Sequence, residues 1–268
     1  MATLHVEIFS PSLGRPTDFY VLLPNDLPAG MRKKNPHYER PTKTLVLLHG
    51  YSGNNRDWLI RSPIQDLSVK YNLAVVLPSG ENSFYVDAKA TGHQYHSLIV
   101  KDILGYVRST LGLATEPQDT FIGGLSMGGF GALHIGLSHP DLFSKVIALS
   151  SALIIGQVAQ MRAGDAGNAV ANYDYYRNIF GEPNAVLTSD CNPETLVKKL
   201  LQSKQQVPKI YMACGTEDFI INPNRELHRF LSANGVDVLF DERPGIHDWK
   251  FWNEQIEPAI CWALDMQR

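Results

Sequence analysis

A serine between glycines is the first group in this chain that could do chemistry. Residues 124–128 read G-L-S-M-G and follow the short apolar run 120–122. In the pattern G-x-S-x-G the serine lies on a turn between a strand and a helix. The turn is so sharp that only hydrogen fits at the positions two before and two after the serine. Because this turn exposes the hydroxyl, we interpret Ser126 as a nucleophile, provided that the rest of the chain supplies its partners.

Those partners are a base and an acid. A serine hydroxyl is a weak nucleophile at neutral pH, so a histidine must take its proton while a carboxylate fixes the histidine tautomer. In α/β-hydrolases these groups follow in the chain order serine, acid, histidine. The loop after the apolar run 209–214 contains Glu217 and Asp218, and the loop after the last apolar run contains His247. We interpret Asp218 as the acid, with Glu217 as the alternative, and His247 as the base.

Two backbone N–H groups are candidates for binding the negative oxygen of an acyl-transfer intermediate. Met127 follows the nucleophile at the start of a helix, where N–H groups have no partner within the helix and the dipole is positive. The second donor is expected in the loop 49–55, after the first parallel strand, and there we choose Tyr51, with Ser52 as second choice. His49 begins this loop, and we interpret it as shaping the loop and not as the base.

Several side chains near these loops could line a substrate pocket. The candidates are Ser52 and the aromatic residues Trp58, Phe84, Tyr85, Phe219 and Trp249. Packing in the core beneath the loops explains each aromatic residue equally well. His93 and His96 could suggest a metal-binding pair, but no third ligand with recognisable spacing accompanies them. We therefore expect no metal at this pair.

The elements that must position these groups alternate between strands and helices. Apolar runs typical of strands buried on both faces occupy residues 44–48, 73–78, 120–122, 146–150, 209–214 and 236–242. Helical spacing of apolar residues occupies 58–70, 95–113, 127–139, 193–202, 222–234 and 249–266. This alternation predicts a mostly parallel twisted sheet with helices on both faces. Together with the chain order serine, acid, histidine, it indicates a single α/β-hydrolase domain over residues 1–268. Residues 4–9 and 18–24 predict an antiparallel pair of strands before it.

One segment, residues 151–190, does not fit the alternation. It is rich in glycine, alanine and asparagine, and it directly follows a predicted strand of the sheet. Substrates of such sheets enter at the carboxyl ends of the strands. We therefore predict that this segment is a small cap over the site.

Composition excludes several classes of partner. The 268 residues are 44% hydrophobic and 19% charged, with a net charge of −3, so nothing in the charge balance would attract nucleic acid or an anionic membrane. The partner expected is a small ester molecule. The 3 cysteines are widely separated and odd in number, which is not typical of a disulfide framework. Since the N-terminus also lacks a basic segment followed by an apolar run, we expect a cytoplasmic protein.

The loops as a set resemble those of the esterase D family, and within it the bacterial tributyrin esterases. The resemblance rests on residues 49–54 with 57–58, 77–80 with 83–85, 124–129, 215–219 and 247–252. It implies a serine carboxylesterase that prefers short acyl chains, forms an acyl-enzyme intermediate and needs no cofactor. It also implies that Ser126, Asp218 and His247 form the catalytic triad, and that the chain assembles into a homo-oligomer.

Four other functions compete with this one. An acetyl- or feruloyl-carbohydrate esterase and an acyltransferase would use the same triad. An S-formylglutathione hydrolase is less favoured, because those relatives place threonine and cysteine in the loop where residues 51–53 here read Y-S-G. A non-catalytic binding protein is disfavoured because such a chain is expected to have lost at least one triad residue.

Overall fold

A mixed sheet of eight strands organises the molecule. The computed structural model describes residues 1–88, 90–167 and 170–266. The strands in chain order are β1 (Ala2–Ser10), β2 (Arg15–Leu23), β3 (Lys43–Leu48), β4 (Leu73–Pro78), β5 (Asp87–Ala88), β6 (His93–Gln94), β7 (Thr120–Leu125), β8 (Lys145–Leu149), β9 (Lys209–Gly215) and β10 (Val238–Arg243). β5 and β6 pair with each other as a separate ribbon.

The order of the strands places the middle of the sheet at β3. The eight strands lie in the order β1-β2-β4-β3-β7-β8-β9-β10. β1 and β2 pair antiparallel, as predicted, and β2 pairs antiparallel with β4. From β4 to β10 all neighbouring pairs are parallel. The chain adds β4 on one side of β3 and β7 on the other, so the strand order reverses there, and the carboxyl ends at this point form a crevice.

Helices cover both faces of the sheet. They are α1 (Ala29–Arg32), α2 (Asp57–Arg61), α3 (Ile64–Tyr71), α4 (Tyr95–Ser97), α5 (Leu104–Leu111), α6 (Met127–Ser138), α7 (Ile155–Val158), α8 (Tyr173–Phe180), α9 (Pro193–Gln202), α10 (Ile221–Ala233) and α11 (Trp249–Ala263). Alternate residues of a strand point to opposite faces. In β3, Val46 and Leu48 accordingly pack with α5, α6, α9 and α10, whereas Leu45 and Leu47 pack with α2, α3 and α11.

Two predicted helices are divided in the structure. The predicted helix over residues 58–70 is two helices, because Ser62 is extended and Pro63 precedes the first residue of α3. A proline disfavours helical backbone in the residue before it, which explains the break. The predicted helix over 95–113 consists of α4, a π-helical stretch Leu98–Ile103 and α5, and it ends at Gly112 with φ of 63°.

The segment predicted as a cap contains three short helices in the part that the structure describes. Residues 151–190 contain α7, α8 and a 3-10 helix, Pro183–Thr188, while Asn168 and Ala169 lie outside the described residues. The Tyr51 hydroxyl donates to the Val170 carbonyl over 3.3 Å, so this segment contacts the loop after β3. Within the described ranges, no helix is both long enough and apolar enough to cross a membrane.

Candidate active site

Ser126 occupies a strained turn between β7 and α6. Its φ is 54° and its ψ is −117°, a conformation that is uncommon for a residue with a side chain. The glycines on either side make the turn possible. A Cβ on Gly124 would lie 2.4 Å from the Gly128 carbonyl oxygen, and a Cβ on Gly128 would lie 2.5 Å from the Leu48 carbonyl oxygen. Backbone packing therefore requires glycine at both positions.

The three residues predicted to work together lie within hydrogen-bond distance of one another. His247 Nε2 is 2.9 Å from Ser126 Oγ. On the other side of the ring, His247 Nδ1 is 2.9 Å from Asp218 Oδ2 and 3.1 Å from Oδ1. These side chains come from the turn after β7 and the loops after β9 and β10, which end at the same edge of the sheet. Chain order and strand positions thus predicted a real spatial cluster.

Asp218 is buried and kept ionised. Burial alone would raise the pKa of Asp218, but the hydrogen bond and charge of His247 and a hydrogen bond from the Ile220 N–H outweigh it. The pKa of this carboxyl is therefore below its ordinary value. A buried carboxylate that stays negative can hold Nδ1–H of the imidazole and favour positive charge on the ring.

Glu217, the alternative acid, lies elsewhere. Its carboxylate accepts the Gly245 N–H over 2.6 Å and the Thr216 hydroxyl over 2.7 Å. The hydrogen bond from Gly245, followed by that from Thr216, lowers the pKa of Glu217. The Glu217 N–H in turn donates to the Gly245 carbonyl over 3.1 Å. Glu217 thus ties the loop after β9 to the loop after β10, whereas Asp218 contacts the histidine.

The two predicted oxyanion donors are the backbone N–H groups of Met127 and Tyr51. Met127 is the first residue of α6, so its N–H belongs to the unpaired first turn of that helix. In the loop after β3, the Ser52 N–H already donates to Asn82 Oδ1 over 2.8 Å, and the Gly53 N–H donates to the Gly50 carbonyl. Within the described part of the chain the Tyr51 N–H has no such acceptor. Of the two choices in this loop, Tyr51 is the one left available.

His49 fixes the shape of this loop. It is buried, its Nδ1 lies 2.7 Å from the Gly50 carbonyl oxygen, and its Nε2 accepts the Gly80 N–H over 2.8 Å. Since a carbonyl can only accept, the ring carries its proton on Nδ1. Burial lowers the pKa of His49, which keeps it neutral. Both nitrogens are occupied, so His49 joins the loop after β3 to the loop after β4, in agreement with its interpretation from sequence.

The predicted pocket residues separate into core and surface. Trp58 is only 1% exposed, and its indole N–H donates to the Leu48 carbonyl over 3.0 Å. Phe84 and Tyr85 are also buried. Trp249 is partly buried and packs edge-on against Trp58 at 5.2 Å. These four aromatic rings pack as core, beneath the loops.

Ser52 and Phe219 are exposed beside the site. Phe219 lies with its ring centroid 4.7 Å from that of His247. Sequence reasoning missed Asn82, which binds the Ser52 N–H and whose carbonyl accepts the Tyr175 hydroxyl of the cap segment. No local pattern could have indicated Asn82, because its partners are distant in the chain.

A chain of three histidines joins the helix of the nucleophile to the end of the cap segment. His134 Nδ1 is 3.0 Å from the Asp190 carbonyl oxygen, His96 Nδ1 is 3.0 Å from His134 Nε2, and His139 Nε2 is 2.8 Å from His96 Nε2. Because the Asp190 carbonyl only accepts, neutral His134 must donate to it from Nδ1 and accept at Nε2 from His96. His96 in turn accepts at its own Nε2 from His139. The direction of every hydrogen bond in this chain is therefore determined. The three histidines line a surface cavity of about 870 Å³.

The three hydrogen-bonded histidines should make folding stability depend on pH. Burial, with the neighbouring histidines, lowers the pKa of His96 to about 3, and burial lowers that of His134 to about 4. In an unfolded chain both rings take up protons near pH 6.5, so between there and pH 4 the unfolded state binds more protons. We expect the free energy of unfolding to fall by about 1.4 kcal/mol per pH unit for each histidine as pH decreases through this window.

Urea unfolding in buffers at about pH 7, 6, 5 and 4.5 measures how the free energy of unfolding changes with pH. His134→Gln should be less stable at pH 7 but should lose less stability on acidification. His93→Gln, which replaces an exposed histidine, is the matched control and should keep the wild-type slope. Parallel curves for wild type and His134→Gln would contradict the expectation.

Comparisons with known proteins find esterases among the relatives of this chain. Residues 10–263 match the family described as "Putative esterase". An acetyl esterase from Caldicellulosiruptor saccharolyticus is 45% identical over 262 residues, which cover 98% of each chain. The structure of the Staphylococcus aureus fluorophosphonate-binding serine hydrolase F, with substrate bound, is similar with a TM-score of 0.83 and 28% identity, covering 98% of both chains.

A second solved structure extends the same likeness. S-formylglutathione hydrolase FrmB from Staphylococcus aureus has a TM-score of 0.81 at 28% identity, again over 98% of both chains. The narrower resemblance to the esterase D family and its tributyrin esterases stays a prediction. The chain belongs to the esterase family matched over residues 10–263, and it is a carboxylic ester hydrolase with an α/β-hydrolase fold.

Proposed function

We propose that this enzyme hydrolyses esters of short acyl groups, acetyl above all, through an acyl-enzyme formed on Ser126. The observation that supports it most directly is the continuous contact from Ser126 Oγ through His247 to the buried carboxylate of Asp218. The acetyl esterase that is 45% identical over nearly the whole chain supports the choice of acyl group.

The reaction follows from where protons can go. His247 Nε2 takes the hydroxyl proton while Ser126 Oγ attacks the ester carbonyl carbon, and the carbonyl oxygen becomes negative. The N–H groups of Met127 and Tyr51 bind that oxygen. His247 then gives its proton to the leaving alcohol oxygen as the carbon–oxygen bond breaks. Water repeats the sequence against the acyl-enzyme and releases the acid.

The surroundings of Ser126 favour a small acyl group. A long acyl chain needs an apolar cavity of several hundred Å³ beside the nucleophile. Ser126 lines none of five surface cavities in the described part of the chain, which measure about 870, 700, 240, 140 and 100 Å³. The Ala152 N–H donates to the Ser126 carbonyl over 2.9 Å, which brings the start of the cap segment against the turn of the nucleophile.

A series of p-nitrophenyl esters tests acyl size. We expect kcat/KM to be greatest for the acetyl ester and to fall at least about tenfold by the octanoyl ester. A long acyl chain that finds no apolar cavity gains no burial energy. Constant or rising kcat/KM along the series would contradict the preference for short chains.

The same assay with added glycerol or methanol separates hydrolysis from acyl transfer, because a transferase would form the new ester in preference to acetate. Feruloyl esters test the remaining alternative.

A further inference from the structure

We infer that Phe219 and Ile246 form a platform for the alcohol part of the substrate, and that favoured alcohols contain a six-membered ring with a flat apolar face. Both residues flank the catalytic dyad of acid and base in sequence: Phe219 follows Asp218, and Ile246 precedes His247. The two residues are 78% and 54% exposed, which is unusual for large apolar residues. The inference rests on the proposed function.

The exposure of Phe219 is fixed by its neighbours. Asp218 and Ile220, on either side, are buried, and the Ile220 N–H donates to Asp218 Oδ1 over 3.1 Å. The loop is also held from the other side. A Cβ on Gly215 would lie 2.1 Å from the Gly245 carbonyl oxygen, so the loops after β9 and β10 touch backbone to backbone. Phe219 is therefore held on the surface by a tightly bonded loop.

Its position is on the side of the base that faces solvent. The His247 ring has Trp252 on one side, edge-on at 5.0 Å and nearly buried, and Phe219 at 4.7 Å with an interplanar angle of 52°. During acylation Nε2 must deliver a proton to the leaving oxygen, so that oxygen comes within about 3 Å of the imidazole. The group attached to the oxygen then lies within reach of Phe219. The carbonyl oxygen of the ester instead faces the oxyanion donors.

The chemistry of the platform selects the kind of alcohol. An exposed phenyl ring and an aliphatic side chain offer no hydrogen bonds, so they gain binding energy only from an apolar surface placed against them. A flat ring covers Phe219 best, since ring faces stack in offset or tilted arrangements. Both an aryl alcohol and the C–H face of a pyranose have this shape. The inference covers that shared shape, and the experiment separates the two sources.

Three acetate esters, which all form the same acetyl-enzyme, provide the test: phenyl acetate, methyl glucopyranoside acetates and ethyl acetate. Phe219→Ala should lower kcat/KM about tenfold for the esters with a ring and less than twofold for ethyl acetate. Phe219→Tyr keeps the ring and should stay near wild type. Phe9→Ala removes a phenylalanine that is 65% exposed on β1, at the far edge of the sheet, and should change none of the three.

The pattern across substrates decides the inference. A loss confined to phenyl acetate assigns the platform to aryl alcohols, and a loss confined to the sugar acetates assigns it to pyranoses. Equal losses for all three esters would show that Phe219 only positions His247, which overturns the inference. Unchanged kcat/KM for both ring esters would overturn it as well. The proposed function fails by a different result, namely ester hydrolysis that survives Ser126→Ala.

Discussion

Ser126→Ala should lower kcat for acetyl esters by at least about ten thousandfold, because no other oxygen can form the acyl-enzyme at this position. The oxyanion donors are backbone N–H groups, so the variant keeps them and should still bind substrate. Alanine has the same Cβ as serine, and the positive φ of 54° is therefore no more strained than in the wild type. The variant should fold normally, and its urea midpoint should stay close to that of wild type.

A covalent probe checks the role of Ser126 independently of turnover. A fluorophosphonate reacts with a serine whose proton can be removed, and intact mass spectrometry would detect one added phosphonyl group. We expect labelling of wild type at the peptide that contains Ser126 and no labelling of Ser126→Ala. Ser109→Ala on α5 removes a hydroxyl that donates to the Gly105 and Tyr106 carbonyls of its own helix; it is the matched control and should label fully. Labelling of Ser126→Ala would reject the assignment of the nucleophile.

The residues that the sequence could locate all lie in turns or loops that follow strands of the sheet. The turn of Ser126 comes at the end of β7, Asp218 follows β9 and His247 follows β10. Parallel strands in one sheet end at one edge, so a prediction of the strands is also a prediction of where these loops meet. The glycines at 124 and 128 add a local steric signal that needs no knowledge of the rest of the chain. Fold and polar cluster were therefore accessible from one sequence.

What the sequence could not supply are contacts between residues far apart in the chain. Trp58 and Phe219 are both aromatic and both lie beside site loops. Yet Trp58 is covered by Trp249 from α11, while Phe219 is held outward by its buried neighbours. The histidine chain depends on His96 meeting His134 and His139, which are 38 and 43 residues away. Side-chain packing decides such cases, and no periodic pattern records it.

Asp218→Asn should lower kcat by about ten thousandfold while leaving substrate binding largely intact. The buried carboxylate accepts Nδ1–H of His247 and the Ile220 N–H, and an amide can reproduce only part of this. If the amide turns its NH₂ towards His247, Nδ1 must accept, and the ring proton moves to Nε2. A protonated Nε2 cannot take the proton of Ser126. Single-turnover acylation by p-nitrophenyl acetate, compared with Kd for a non-reactive analogue, measures the two effects separately.

Glu217→Gln is the matched variant, since it makes the same chemical change one residue away. Its carboxylate binds Gly245 and Thr216 but not His247, so we expect a loss of less than about tenfold from loosened loops. Comparable losses in both variants would mean that the loops, and not the tautomer, limit the rate.

The pKa of Asp218 is lowered in the folded protein, so its stabilising charge is present above its unfolded pKa of about 3.9 and is lost only below it. The two variants should therefore be compared above about pH 5, where both carboxyl groups are ionised in wild type.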